Sequence, residues 1–361
     1  MKISFFIGTM HNGGAERQII YTANKLSELG YRVEIATLKK GSAYSDLLSE
    51  DVSVMTFESK NGLFSILKAA LYYYKSKPAV IVNFLYHATL IGRLIGISLN
   101  IPVITSYRNT SYGGKLRDFL VKVTSPLDSM TLSNSKAAGN SLCFKKSSKE
   151  ILVIPNYYLD NGLGKVQSPK NKESTFNWCY VGRLTEQKNI EQLLYAFRDF
   201  SYLVTKNTKL FLLGDGNQKK YLQDLAAELN VAENVFFLGH SYNVKEQLNK
   251  ADAFILPSLR EGMPNSLMEA MYNCLPAIVT PVGAIPDMIA NGETGFISKG
   301  FGYKDIAQSM SELHALDVNC RLAMGVAAKE FIITYCDSNA ITQSWSNAIV
   351  SVARKACNEK I

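Results

Sequence analysis

Short apolar runs alternate with longer stretches of helical periodicity from the start of the chain, and this alternation constrains the fold more than any other feature. Residues 2–7 read as a strand, 8–14 as a loop, 15–29 as a helix stopped by Gly30, and 31–37 as a second strand, which together make a βαβ unit. Further strands are expected at 52–57, 79–84, 102–106, 129–133 and 151–154, with helices near 62–76, 88–98, 114–124 and 135–143. A polar, glycine-bearing linker at 161–177 interrupts the pattern. It then restarts with strands near 177–181, 209–213, 234–238, 252–256, 277–280 and 295–297, and helices near 189–205, 217–229, 243–249, 265–273 and 285–290. Beyond 302 the chain reads as helical only, ending in an amphipathic stretch near 338–355 that carries Trp345 and has no strand left to pack beside.

Strands separated by helices imply parallel sheets covered on both faces. At 361 residues the chain is long for a single core and suits two domains. The expected fold is therefore α/β, with two doubly wound Rossmann-like domains facing a central cleft and the C-terminal helix crossing back to the first. The expected boundaries are 1–165, 166–337 and 338–361. Each such domain binds ligand at the carboxyl ends of its strands.

Composition narrows the function. The chain is 47% hydrophobic and 19% charged, as for a soluble globular protein. The six cysteines (143, 179, 274, 320, 336, 357) have no Cys-x-x-Cys spacing, and the four histidines (11, 87, 240, 314) have no metal spacing, so neither a zinc site nor a disulfide framework is expected. The first apolar run is too short for a signal peptide, and no run approaches the roughly 18 apolar residues of a membrane span; a cytoplasmic setting is the default. Residues 1–170 hold 21 Lys+Arg against 11 Asp+Glu, while 171–361 hold 18 against 20. The basic half suits a polyanionic partner or an anionic membrane. A nucleic-acid partner is not expected, because no RNA- or DNA-binding signature accompanies the charge.

Several loops at strand ends carry candidate chemistry. Pro257-Ser258-Leu259-Arg260-Glu261-Gly262-Met263-Pro264-Asn265-Ser266-Leu267-Met268-Glu269-Ala270 follows a buried strand and restarts as a helix, where free backbone N–H groups suit an anion. Glu261 and Glu269 flank that position, and carboxylates are good acceptors for sugar or ribose hydroxyls. Ser266-x-x-Glu269 is equally a capping box, so both roles stay open for Glu269 on these residues alone. Gly182-Arg183-Leu184-Thr185-Glu186-Gln187-Lys188-Asn189 places two cations five residues apart between a strand and a helix, a geometry for a diphosphate. The first loop, Gly8-Thr9-Met10-His11-Asn12-Gly13-Gly14-Ala15-Glu16-Arg17, lacks the spacing of a dinucleotide site, but Gly13-Gly14 lets backbone approach a phosphate or sugar closely. His87, Arg108 with Asn109, and Asn156 also lie at strand ends. No Asp-x-Asp follows a strand, so no metal is expected, and Arg183 and Lys188 would carry the diphosphate instead.

Taken in order, Gly13-Gly14-Ala15-Glu16, Ile154-Pro155-Asn156, Gly182-Arg183-Leu184 with Lys188, Leu213-Gly214-Asp215-Gly216 and Glu261 through Ala270 resemble the retaining GT-B glycosyltransferases of family 4. Pro276, Thr280, Val282-Gly283 and Asn291-Gly292-x-Thr294-Gly295 fit as well, so the resemblance runs from about residue 2 to 300. It implies a retaining, metal-independent glycosyltransferase with no cofactor, whose second domain holds a nucleotide-sugar donor and whose first holds the acceptor. By motif position Arg183 and Lys188 are the diphosphate ligands, Glu269 the ribose ligand and Glu261 the residue on the donor sugar. Arg183, Lys188 and Glu261 form the catalytic set. Gly262, Met263, Pro264 and Asn265 face the sugar or its phosphate, and Gly14 lies near the donor phosphate. Gly13, His87, Arg108 and Asn156 are candidates for the acceptor or reacting centre. Arg108-Asn109 stands where many relatives have a histidine, and Asp287 where the family commonly has Glu.

The implied substrates are a hexose or N-acetylhexosamine, UDP-linked, and a glycan acceptor on a polyprenyl diphosphate at the inner face of the plasma membrane, in polysaccharide synthesis of the O-antigen or capsule type. Two rival readings are an epimerase of GT-B-like fold, for which acid/base residues are not found, and a non-catalytic nucleotide-sugar-binding protein. The helix near 62–76 gathers Leu63, Ile66, Leu67, Ala70 and Tyr74 in one stripe, expected to pack on the sheet, with a membrane surface as the alternative.

Overall fold

The apolar runs form parallel strands. The computed structural model describes residues 1–11, 13–41, 44–142, 151–158, 175–204, 207–240 and 244–358. Asn12, Cys143, the boundary at 165/166 and most of the linker lie outside the described residues. Two units emerge: Met1–Tyr157 with Cys336–Ile361, and Tyr158–Tyr335.

The first unit runs β1 (Lys2–Ile7), α1 (Gly14–Glu28), β2 (Arg32–Thr37), β3 (Ser53–Thr56), α2 (Gly62–Ser76), β4 (Val80–Phe84), α3 (Tyr86–Leu99), β5 (Val103–Tyr107), α4 (Lys115–Val123), β6 (Met130–Ser133), α5 (Lys136–Leu142) and β7 (Ile151–Val153). Its seven strands lie in the order β3-β2-β1-β4-β5-β6-β7, all parallel. Crossovers between parallel strands are right-handed. The connections through α2, α3, α4 and α5 all step one way along this order and the connection through α1 steps the other, so α2 to α5 share one face of the sheet. The central strands β1, β4 and β5 are mostly apolar and almost wholly buried on both faces, as a doubly covered sheet requires.

The second unit runs β8 (Phe176–Val181), α6 (Ile190–Leu203), β9 (Thr208–Leu213), α7 (Lys219–Glu228), β10 (Val235–Gly239), α8 (Val244–Lys250), β11 (Ala253–Leu256), α9 (Asn265–Tyr272), β12 (Ala277–Val279), α10 (Ile285–Met288), β13 (Gly295–Ile297), α11 (Tyr303–Ala315) and α12 (Val318–Tyr335). Its six parallel strands lie in the order β10-β9-β8-β11-β12-β13.

The last helix, α13 (Ser338–Asn358), packs into the first unit. Its Trp345 stacks on Phe84 of β4 at 6.2 Å and 15° and meets Phe5 of β1 edge-on at 6.1 Å. Thr342 Oγ1 and Tyr157 OH share a hydrogen bond of 3.0 Å, and the backbone of Tyr157 is held twice by Gln18 of α1. An amphipathic helix gains stability by burying its apolar face, and for α13 the partner strands belong to the start of the chain.

One ion pair ties α3, the end of α4 and the segment before β6 to β5. Arg93 of α3 and Asp128, just before β6, are both fully buried and meet in a bidentate contact, Nε to Oδ1 at 2.8 Å and Nη2 to Oδ2 at 2.5 Å. Thr105 Oγ1 donates to Asp128 Oδ1, while Arg93 also donates to the Val121 carbonyl, Thr124 Oγ1 and Tyr107 OH. Every strong donor and acceptor of the pair is thereby occupied, which is what allows charges so deep in a core.

Helix α2 begins where its sequence says it should, with the Asn61 side chain accepting from Leu63 N at 2.9 Å, but the expected packing stripe is corrected. The buried residues are Ser65, Ala69 and Tyr73, and Tyr73 OH bonds Ser4 Oγ of β1. These two small side chains bring the helix close to the sheet and rotate it. Ile66 and Ala70 end half-buried, whereas Leu63, Leu67 and Tyr74 point outward with Phe64 and Leu71.

Candidate active site

In a doubly wound sheet the ligand position is the point where successive connections leave in opposite directions. In the second unit that point lies between β8 and β11, which pair directly through Trp178–Ala253 and Cys179–Phe254. The loops after these two strands carry the cationic and the carboxylate candidates. They meet: Lys188 Nζ donates to Glu261 Oε1 at 2.5 Å, with the side chains only 12% and 8% exposed.

The pair is braced on both sides. Ser258 Oγ donates to the same Glu261 oxygen at 2.7 Å, and Thr280 Oγ1, after β12, donates to the Ser258 carbonyl at 2.5 Å. Leu259 N donates to the Gln187 carbonyl and Gln187 Nε2 to the Arg260 carbonyl, which lace the two loops together. Gly283, at φ +61, lies so close beneath the loop that a Cβ there would fall 2.4 Å from the carbonyl oxygens of both Glu261 and Gly262. Ala284 N donates to the Gly262 carbonyl at 2.7 Å. Ser258 and Thr280 are not among the site residues expected from the sequence; the available signal is a serine three residues before Glu261, just after the apolar run at 253–256.

Arg183 sits on the same loop as Lys188 with its side chain exposed, and its carbonyl accepts from the buried Tyr180 OH at 2.9 Å. Thr185, between the two cations, has a buried Oγ1 with no partner among the described residues. Gly214 closes the floor at the end of β9: at φ +141, a Cβ there would stand 1.9 Å from the Gly182 carbonyl oxygen. Helix α9 starts at Asn265 with Pro264 as its N-cap, so the capping box is not formed: Ser266 is already inside the helix, and the proline ring offers no acceptor. Glu269 is half-exposed in the second turn of α9, while Gly262, Met263 and Pro264 are buried.

In the first unit the switch point lies between β1 and β4. Gly13 is the N-cap of α1 and Gly14 its first residue; a Cβ at Gly13 would strike the Glu16 carboxylate, which folds over the helix start. After β4, Leu85 adopts φ +65, a strained conformation for a branched side chain, and delivers Tyr86 and His87 into the first turn of α3. His87 is exposed, and partial burial together with the Arg117 and Lys39 cations pushes its pKa below the ordinary imidazole value. Arg108, after β5, is buried, with its guanidinium 4.9 Å from the Phe84 ring and 5.5 Å from the Trp345 ring. It donates to Asn156 Oδ1 at 2.6 Å, so these two candidates pair with each other beneath the surface. Burial lowers the Arg108 pKa to about 10, which leaves it cationic at neutral pH. Among the described residues no cluster of three or more His, Cys, Asp or Glu side chains is placed to hold a metal ion.

Two doubly wound parallel sheets, with ionic chemistry at the switch point of the second, define a GT-B-type architecture. The family described as "Glycosyl transferases group 1" matches residues 165–331. A Campylobacter jejuni protein named GalNAc-alpha-(1->4)-GalNAc-alpha-(1->3)-diNAcBac-PP-undecaprenol alpha-1,4-N-acetyl-D-galactosaminyltransferase is 30% identical over 287 residues, 75% of this chain and 77% of the relative. The Staphylococcus aureus capsular polysaccharide biosynthesis glycosyltransferase CapM is 25% identical over 273 residues, 70% of this chain and 71% of CapM. In fold, the chain is similar to Anabaena Alr3699/HepE, a structure solved with UDP: the TM-score is 0.82 at 17% identity, covering 97% of this chain and all of that one. The chain belongs to the group 1 glycosyl transferases, the retaining GT-B family 4, and is a glycosyltransferase.

Proposed function

We propose that the chain moves a hexose or N-acetylhexosamine from a UDP-sugar to a glycan acceptor carried on a polyprenyl diphosphate, in the synthesis of a bacterial surface polysaccharide at the inner face of the plasma membrane. The Lys188–Glu261 pair at the switch point carries this reading. A lysine and a carboxylate that face each other there suit a ligand with an anionic and a hydroxylated end: diphosphate oxygens take Lys188, sugar hydroxyls take Glu261, and the direct contact opens. Arg183 adds a second cation on the diphosphate, each charge-assisted bond contributing about 1.5–3 kcal/mol. Glu269 takes the ribose, and the segment from Gly262 to Asn265 lines the sugar phosphate. The Campylobacter relative's undecaprenol-linked substrate and the UDP in the Anabaena structure support the two substrate classes.

Transfer breaks the bond from the anomeric carbon to the diphosphate oxygen and forms the bond to the acceptor oxygen on the same face. The departing diphosphate accepts the acceptor's proton. Lys188 and Arg183 stabilise the charge gathering on the leaving group, the kind of term that outweighs others in such reactions. Family membership favours transfer over the epimerase and non-catalytic readings.

The donor assignment is tested with a panel of UDP- and GDP-sugars in thermal shift. A ligand at 100 times its dissociation constant adds about 2.7 kcal/mol, so UDP-sugars are expected to raise the melting midpoint, and a flat response across the panel would remove the assignment. The division of labour between the carboxylates has a separate test. Glu269→Ala is expected to weaken binding of free UDP, while Glu261→Ala spares UDP binding and impairs transfer; the opposite pattern would reverse the roles.

A further inference from the structure

We infer that the outward face of helices α2, α3 and α4 seats the protein on an anionic lipid bilayer. These helices lie side by side on one face of the first sheet. On α2, Leu63, Phe64, Leu67, Leu71 and Tyr74 are between 48% and 62% exposed, because the row that faces the sheet is Ser65, Ala69 and Tyr73. The neighbouring helices continue the exposure, with Leu94 and Ile97 on α3 and Leu116, Phe119 and Val123 on α4. Scattered exposed leucines are ordinary, but three adjacent helices all turning large apolar side chains outward make a contiguous patch of the kind that marks an interaction surface.

Charge selects the occupant. Lys60, Lys68, Lys75 and Lys77 stand exposed on and beside α2, and Lys115 and Arg117 at the head of α4. Neither α2 nor α3 contains an acidic residue. The acid of α4, Asp118, is turned inward and accepts from Ser111 Oγ and Tyr112 N. Apolar side chains that enter the acyl boundary, ringed by lysines that reach phosphate headgroups, match a membrane surface with negative charge. Within the first unit the patch also reaches towards His87, since Arg117 lies over the Tyr86 ring at 5.5 Å and Tyr86 contacts His87. The biological sense of this seat rests on the lipid-linked acceptor reading; its location rests on exposure and charge alone.

Co-sedimentation of the full chain with vesicles tests it, comparing phosphatidylcholine alone with equal parts phosphatidylcholine and phosphatidylglycerol. Wild type is expected to sediment with the anionic vesicles only, and less as salt shortens the screening length from about 10 Å at 0.1 M to about 3 Å at 1 M. Lys60→Gln, Lys68→Gln and Lys75→Gln together are expected to lower partitioning roughly a hundredfold, at about fivefold per lysine. Leu67→Gln with Leu71→Gln is expected to abolish it, with an unchanged melting midpoint, since both side chains are exposed. Sedimentation that is absent, equal on the two lipids or indifferent to both variants overturns the inference. So does a dimer in sedimentation velocity that these variants dissociate, because the face would then belong to a second copy. Stabilisation by UDP without vesicle binding would leave the donor reading standing and remove this one; vesicle binding without any nucleotide response would do the reverse.

Discussion

Transfer by a Lys188→Ala protein is expected to fall by a factor of at least about 100, the scale on which a donor to the developing charge counts. Single-turnover measurement at saturating donor isolates the chemical step from binding. The structure adds a complication that the experiment has to resolve, because Lys188 is also the counterion of Glu261, whose side chain is 8% exposed. Removing one partner of a buried pair leaves the other charge uncompensated and costs about 3–5 kcal/mol. Ser258 Oγ offsets part of that here by continuing to bond Glu261. A Lys188→Met, Glu261→Gln double variant separates the effects: it removes both charges, so stability should return while transfer stays low. Unchanged chemistry in Lys188→Ala, or transfer restored in the double variant, would show that the lysine acts only on the fold.

The largest effect on stability is expected at Asp128. Its replacement by alanine strands the fully buried Arg93 guanidinium and should cost the first unit about 3–5 kcal/mol. Replacing both partners by apolar residues of similar size should cost much less, since the desolvation of two ions is then avoided. A chain with two units does not unfold in one step, so the measurement needs a local reporter. The two tryptophans supply it, Trp345 in the first unit and Trp178 in the second. In a Trp178→Phe background, urea unfolding followed by Trp345 fluorescence reads the first unit. A midpoint that does not move in Asp128→Ala would mean that the pair contributes nothing net.

The order of strands and helices was legible in the sequence because period-2 and period-3.6 patterns are local. Helix α2 was expected at 62–76 and is found there. Which way that helix turns was not legible. Its large apolar residues fall on the outer side, and the sheet is met by a serine, an alanine and a tyrosine, a choice made by the Tyr73–Ser4 contact 69 residues apart. The capping reading of Ser266 and Glu269 failed for a similar reason, since the helix begins two residues earlier than that pattern assumes, with Pro264 rather than Ser266 as its N-cap. Lys188 and Glu261 were both named from their loops, yet their direct pairing depends on β8 and β11 being neighbours across the switch point. That adjacency belongs to topology, as do the supports from Ser258 and Thr280. Leu85 gives no local sign of its positive φ, because nothing about a leucine between Phe84 and Tyr86 suggests it.

The return of α13 to the first unit has a consequence for synthesis. Chains leave the ribosome N-terminus first, and domains generally fold as they appear. The first unit is complete only when Trp345 can stack on Phe84 and Thr342 can reach Tyr157, and the whole of the second unit is translated in between. During that interval Phe5 and Phe84 lack the cover that Trp345 later gives them, so the second unit can finish folding before the first.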